Sequence, residues 1–118
     1  MILVTGATGF VGRRVIAALA AEGRSVRALV HSTSHAHALL DFEGDTAEGD
    51  VLSPATLERA CEGVEAVIHL AAVIVERRGA SYQQINNQGT QNILAAAEAA
   101  GVRKFVHAST VGATSDPG

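Results

Sequence analysis

Three glycines spaced three apart, Gly6, Gly9 and Gly12, constrain this chain more than any other feature. A short apolar run, Ile2-Leu3-Val4-Thr5, leads into them, and apolar residues at helical spacing (Phe10, Val11, Val15, Ile16, Leu19) follow at once. That order reads as a buried strand, a tight turn and the N-terminus of a helix. Gly6 supplies the positive φ that the turn needs, and Gly9 removes a Cβ from the space over the turn. Gly12 lets the helix lie close on the strand. The first backbone N–H groups of a helix lack intrahelical acceptors, and its dipole favours negative charge there. The arrangement suits the pyrophosphate of a dinucleotide, with the Thr8 hydroxyl within reach of a phosphate oxygen.

The rest of the chain alternates strand and helix. Ser25–Val30, Thr46–Val51, Ala66–Leu70 and Lys104–Ala108 read as strands two to five. Helices are expected from Phe10 to about Glu22, from the Ser53 cap and Pro54 to about Glu62, and from Tyr82 to Ala100. Gly23 and Gly101 stand where helices stop. His31 to Asp45 is polar and irregular, with one or two helical turns available over Ala36–Leu40. This pattern predicts an α/β, doubly wound parallel sheet of Rossmann type, in strand order 3-2-1-4-5. Ligands of such sheets bind at the carboxyl ends of the strands, at the switch point beside strand 1. All 118 residues are expected to form one domain, with neither repeat nor linker.

Composition narrows the function classes. The chain is 47% hydrophobic and 18% charged, enough apolar content for a packed core. Aromatic residues are only 3% and the net charge is −3, which argues against nucleic acid as partner. Cys61, the one cysteine, allows neither an internal disulfide nor a cysteine-based zinc site, and reads as a half-buried thiol in a helix. His35 and His37 lack an evident third ligand, so no metal is expected. The start lacks a basic segment and glycines break its apolar run, so no signal peptide is read. No apolar run reaches the ~18 residues of a membrane span. A cytoplasmic protein is expected.

Further motifs add to the glycine turn. Thr5-Gly6-x-x-Gly9-x-x-Gly12 resembles the extended or atypical branch of the short-chain dehydrogenase/reductase superfamily, similar to NAD-dependent epimerase/dehydratases and NmrA-like proteins. Gly49-Asp50-Val51 resembles the family's adenine-contacting Asp-Val pair. His69-Leu70-Ala71-Ala72 is similar to its His-x-Ala-Ala segment, whose small residues leave room for a cofactor. Asn86-Asn87-Gln88-Gly89-Thr90-Gln91-Asn92 resembles its long-helix signature, and Lys104 to Thr110 its fifth strand and serine/threonine edge. The resemblance spans the whole chain. It implies NADP or NAD as cofactor, held by Gly6, Thr8, Gly9, Phe10, Val11, Gly12, His31, Ser32, Asp50, Val51, Leu70, Ala71, Ala72 and Asn86.

A Rossmann site for NAD usually carries an acidic residue at the end of strand two, on the ribose hydroxyl. Here His31 and Ser32 occupy that place, and no carboxylate occurs between Arg24 and Leu40. An acid would repel a 2′-phosphate, so its absence favours NADP slightly. His31 is the nearest basic equivalent, with Arg13 as a second and Arg27 inside the strand.

The family's reaction uses a tyrosine as proton donor and acceptor with a lysine four residues later, and a Ser/Thr that orients the substrate oxygen. Thr110 or Ser109 matches the Ser/Thr position. No Tyr-x-x-x-Lys occurs, and the one tyrosine, Tyr82, lies upstream of strand five. The chain is therefore expected to be an N-terminal portion of a longer reductase, epimerase or dehydratase, without turnover by itself. It is also expected to self-associate through an uncovered sheet edge. Two other readings stay open: a module that senses NAD(P) without chemistry, and an unliganded scaffold for protein interaction. The substrate is not legible.

Overall fold

The structure, a computed structural model, describes residues 1–7, 9–30, 42, 44–70 and 82–108. Strands β1 (Ile2–Thr5), β2 (Val26–Val30), β3 (Asp45–Glu48), β4 (Ala66–His69) and β5 (Lys104–His107) form one sheet. Helices α1 (Phe10–Ala21), α2 (Pro54–Ala60) and α3 (Tyr82–Ala99) connect them. The strand order is β3-β2-β1-β4-β5, all pairs parallel, as expected from the alternation of elements. The expected turns over Ala36–Leu40 and the loop through Arg77-Arg78-Gly79 lie outside the described residues.

Successive strand residues point to opposite faces, and this sorts the core into two layers. Ile2, Val4, Val26, Ala28 and Val30 form one cluster with Ala7 and Ile16, which places α1 on that face. Leu3, Leu29 and Val67 form the other, with Leu57 and Ala60 of α2 and Ile93, Ala96 and Ala97 of α3. On α3 the buried positions 89, 93, 96 and 97 recur at helical spacing. The helix is otherwise rich in alanine, the best helix former.

Both long helices whose C-termini are described end on a glycine of positive φ, as predicted. The N–H of Arg24 donates to the Leu19 carbonyl (3.0 Å) and that of Val102 to the Ala97 carbonyl (2.9 Å), closing each last turn.

Three local expectations need correction. Strand three was expected to run to Val51, but β3 ends at Glu48. There Gly49 donates to the Val30 carbonyl (2.8 Å), and Ser53 closes a turn onto the Asp50 carbonyl (2.8 Å). Ser53 takes the N-cap position before Pro54, yet its side chain makes no capping bond. Thr56 acts instead: its hydroxyl donates to the Ser53 carbonyl (2.7 Å) and accepts from the Asp50 N–H (3.1 Å). Cys61 is wholly buried rather than half-buried, and burial pushes its thiol pKa up.

The sheet edges also depart from the all-apolar pattern of buried parallel strands. β3 and β5 are mostly exposed, and Val106 on β5 is 46% exposed.

Candidate functional site

All five strands are parallel, so their carboxyl ends share one edge of the sheet. Gly6 follows β1 there, Gly49 follows β3 and Leu70 follows β4. The crevice of interest lies between β1 and β4, where the chain changes direction of winding.

The glycine turn is built as its spacing implies, but its glycines serve different ends. Gly6 has φ +71°, and its carbonyl accepts the Gly9 N–H at 3.1 Å, closing the turn. Gly12 is required by the fold. A Cβ there would stand 1.9 Å from the Gly6 carbonyl oxygen and 2.7 Å from the Ala7 Cα. Gly9 is different. Its φ is −79° and ψ 176°, open to any residue, and a Cβ would meet only the Gly6 oxygen, at 3.4 Å. It is exposed at the N-cap of α1, and among the described residues no side-chain cap and no acidic residue of the first turn occupies that terminus. The result is a helix N-terminus at the ligand edge, suited to an anion.

The Gly49-Asp50-Val51 segment forms a rigid turn at the same edge. The Asp50 Oδ1 accepts the Leu52 N–H at 2.9 Å. Helix α3 reaches this turn twice. The Asn92 side-chain amide donates to the Val51 carbonyl at 2.8 Å. Gly89 leaves room for the Val51 side chain, whose Cγ2 would stand 2.8 Å from a Cβ at that position. Two residues of the long-helix signature thus act as fasteners between α3 and the turn.

The last polar row of the α3 face was not foreseen from sequence. Thr5 and His69 are both buried, at 0% and 1% exposure, in register on β1 and β4. The Thr5 hydroxyl lies 2.7 Å from His69 Nδ1, and Thr90 Oγ1 of α3 lies 3.2 Å from Nε2. Each hydroxyl can donate or accept, so either neutral tautomer of the ring is satisfied on both sides. Burial, with a smaller contribution from His107 at a ring distance of 5.2 Å, lowers the His69 pKa from 6.5 to about 4. The ring is neutral at physiological pH. The signal was present: Thr5, His69 and Thr90 are polar residues at otherwise apolar positions, and buried polar groups need partners.

Of the predicted site residues, Gly6, Gly9, Val11, Gly12, Asp50, Val51 and Leu70 lie at the described part of this edge. Phe10 opens α1 and Asn86 lies in the first half of α3. Thr8, His31, Ser32, Ala71, Ala72, Ser109 and Thr110 fall outside the described residues. Arg27 is not at this edge. Near the start of β2 its guanidinium bonds Asp45 Oδ2 and the Ala60 and Glu62 carbonyls, each at 2.7 Å, and so caps the C-terminus of α2. Among the described residues no group of three His, Cys, Asp or Glu side chains is placed to hold a metal. No described helix is long and apolar enough to cross a membrane.

The sequence profile of the NAD dependent epimerase/dehydratase family matches residues 2–118. Sterol demethylase protein B of Methylococcus capsulatus is 39% identical over 113 residues, covering 94% of this chain and 34% of that protein. A short-chain dehydrogenase/reductase superfamily protein from Agrobacterium tumefaciens, solved with bound NAD, superposes with TM-score 0.72 at 38% identity, over 93% of this chain and 32% of that one. The NADPH-dependent quinone oxidoreductase of Escherichia coli, solved with NADPH, gives TM-score 0.77 at 29% identity, over 99% of this chain and 39% of that one. The chain thus spans about a third of the length of the curated relatives it matches. Its matched profile, its five-stranded parallel sheet and its glycine turn identify it as a member of the NAD dependent epimerase/dehydratase family, with the Rossmann fold of the short-chain dehydrogenases/reductases.

Proposed function

We propose that the chain is the dinucleotide-binding part of an oxidoreductase or epimerase that uses NADP or NAD. One observation carries this reading: the glycine at position 9 is explained by neither the fold nor its backbone angles. Gly12 is accounted for by packing and Gly6 by its positive φ. Among the described residues nothing crowds a side chain at Gly9, and a group outside the chain that comes close to the backbone accounts for a glycine there. A pyrophosphate at the start of α1 meets that requirement, because the first-turn amides and the helix dipole both favour it.

In this reading Gly6, Thr8, Gly9, Phe10, Val11 and Gly12 hold the pyrophosphate. Asp50 and Val51 flank the adenine, and Leu70, Ala71, Ala72 and Asn86 leave room along the cofactor. His31 and Ser32 meet the adenosine ribose, where the lack of a carboxylate between Arg24 and Leu40 supports NADP over NAD. When bound, the nicotinamide exchanges hydride with a substrate carbon. Ser109 or Thr110 orients the substrate oxygen, while a proton donor of the Tyr-x-x-x-Lys kind is absent from these residues. Relatives named as reductases support an alcohol or carbonyl substrate for the whole protein. The exposed β5 edge, with Val106, supports self-association.

The test is titration with NADP⁺ and NAD⁺ of the protein and of Gly9→Val. The backbone angles at position 9 suit a side chain, whose branches would stand in the space given to the pyrophosphate, and urea unfolding checks that the variant is folded. Affinity at least tenfold weaker in the variant is expected. Unchanged affinity overturns the assignment.

A further inference from the structure

We infer that Thr5, His69 and Thr90 form a positioning relay, in which α3 sets the geometry of the glycine turn and of Leu70 at the end of β4. The inference rests on the cofactor reading above.

Three observations carry it. The first is the place of the row. Along the α3 face the two central strands are aliphatic at Leu3 and Val67 and turn polar at Thr5 and His69, where the sheet meets its ligand edge. Stability alone does not demand this, because a matched apolar replacement of a buried hydrogen-bonded pair is close to neutral. A hydrogen bond does what an aliphatic contact does not: it fixes distance and direction.

The second is what the Thr5 hydroxyl holds. Besides the His69 ring it accepts the N–H of Leu70 at 3.0 Å, and the same N–H lies 3.3 Å from the Thr5 carbonyl. One oxygen atom, immediately before Gly6, therefore ties together the two segments that border the switch-point crevice. The third is the far end of the ring. Thr90 approaches Nε2 from α3, the helix that also fastens the Asp50-Val51 turn through Asn92. Every member is satisfied, and among the described residues no buried side-chain polar atom lacks a partner. Among the described residues the hydrogen bond of the Thr90 hydroxyl is to the ring, so the relay runs from Thr90 through His69 to Thr5.

Thr90 is the place to test this, since the cofactor reading above gives it no contact of its own. Thr90→Val keeps the shape and removes the hydroxyl; Thr90→Ser keeps the hydroxyl and removes the methyl. Thr90→Ala removes the hydroxyl while favouring the helix, and keeps the test open if the valine variant folds poorly. Binding of NADP⁺ and NAD⁺ is measured by calorimetry on each folded protein, beside urea unfolding. Loss of one hydrogen bond predicts affinity weaker by about tenfold in Thr90→Val and Thr90→Ala. Thr90→Ser should return it to within about twofold of the parent. Lowered unfolding midpoints with unchanged affinity in all three variants would mean a merely structural row and overturn the relay. A parent protein that binds neither dinucleotide overturns the cofactor reading itself, and the relay with it. A parent that binds, with variants that bind equally well, overturns the relay alone.

Discussion

The two faces of the sheet are closed by different means. On the α1 face the helix meets the strand end through bare backbone, with Gly12 against Gly6 and Ala7 and an aliphatic layer behind them. On the α3 face the aliphatic layer is topped by directed bonds, from Thr90 to His69 and from Asn92 to Val51. The first face therefore tolerates no added volume near the turn. The second is sensitive to the loss of a donor or acceptor at nearly constant volume. Both faces border the same ligand edge, so either kind of damage reaches it.

The largest effect should come from adding one methyl group to the α1 face. In Gly12→Ala the new carbon falls within bonding range of a backbone oxygen, and backbone cannot swing aside as a side chain does. A loss of about 3 kcal/mol or more in urea unfolding is expected, at the severe end of overpacking. Gly12→Ala unfolding like the parent would show that α1 can retreat, and the contrast between the faces would dissolve.

A second test uses pH on the α3 face. The unfolded His69 takes a proton near 6.5, while the folded ring resists until about 4. Between these values the unfolded state binds more protons, so stability present above pH 6.5 declines as pH falls toward 4. The decline due to this ring is up to about 3 kcal/mol, at about 1.4 kcal/mol per pKa unit. His69→Gln should flatten the stability profile in that window. A parent and variant with parallel profiles would show that the ring titrates normally.

The smallest effect is expected at Asn92→Leu, which keeps the volume but leaves the half-buried Val51 carbonyl without its donor. A cost of about 1 kcal/mol is expected, visible as a lowered urea midpoint. No change would assign α3's attachment at this point to Gly89 and its contact with Val51 alone.

Much of this contrast was legible in the chain, and the reasons differ by residue. Ile2–Thr5, the glycine spacing and the helix-stopping glycines are local signals, because a strand period, a turn angle and a cap are settled within a few residues. The strand order followed from alternation of elements. Ser53 holds the cap position read for it, but whether its hydroxyl bonds the helix depended on side-chain geometry, and it makes no capping bond. Arg27 was read only as lying inside its strand; its bonds to the end of α2, at the edge away from the glycine turn, join residues 33 and 35 apart and were not legible. The His69 row escaped notice because its members are 64 and 21 residues apart in sequence. A buried polar residue announces that it needs a partner, not which one.

By itself, then, the sequence determined the alternating elements and the glycine turn. These depend on local backbone preferences and on the period of apolar residues. Only the tertiary structure decided which glycine the fold requires and which it leaves unexplained, and which hydroxyls meet across the switch-point crevice. Those are matters of distances between segments remote in the chain, set by how α1 and α3 come to rest on opposite faces of one sheet.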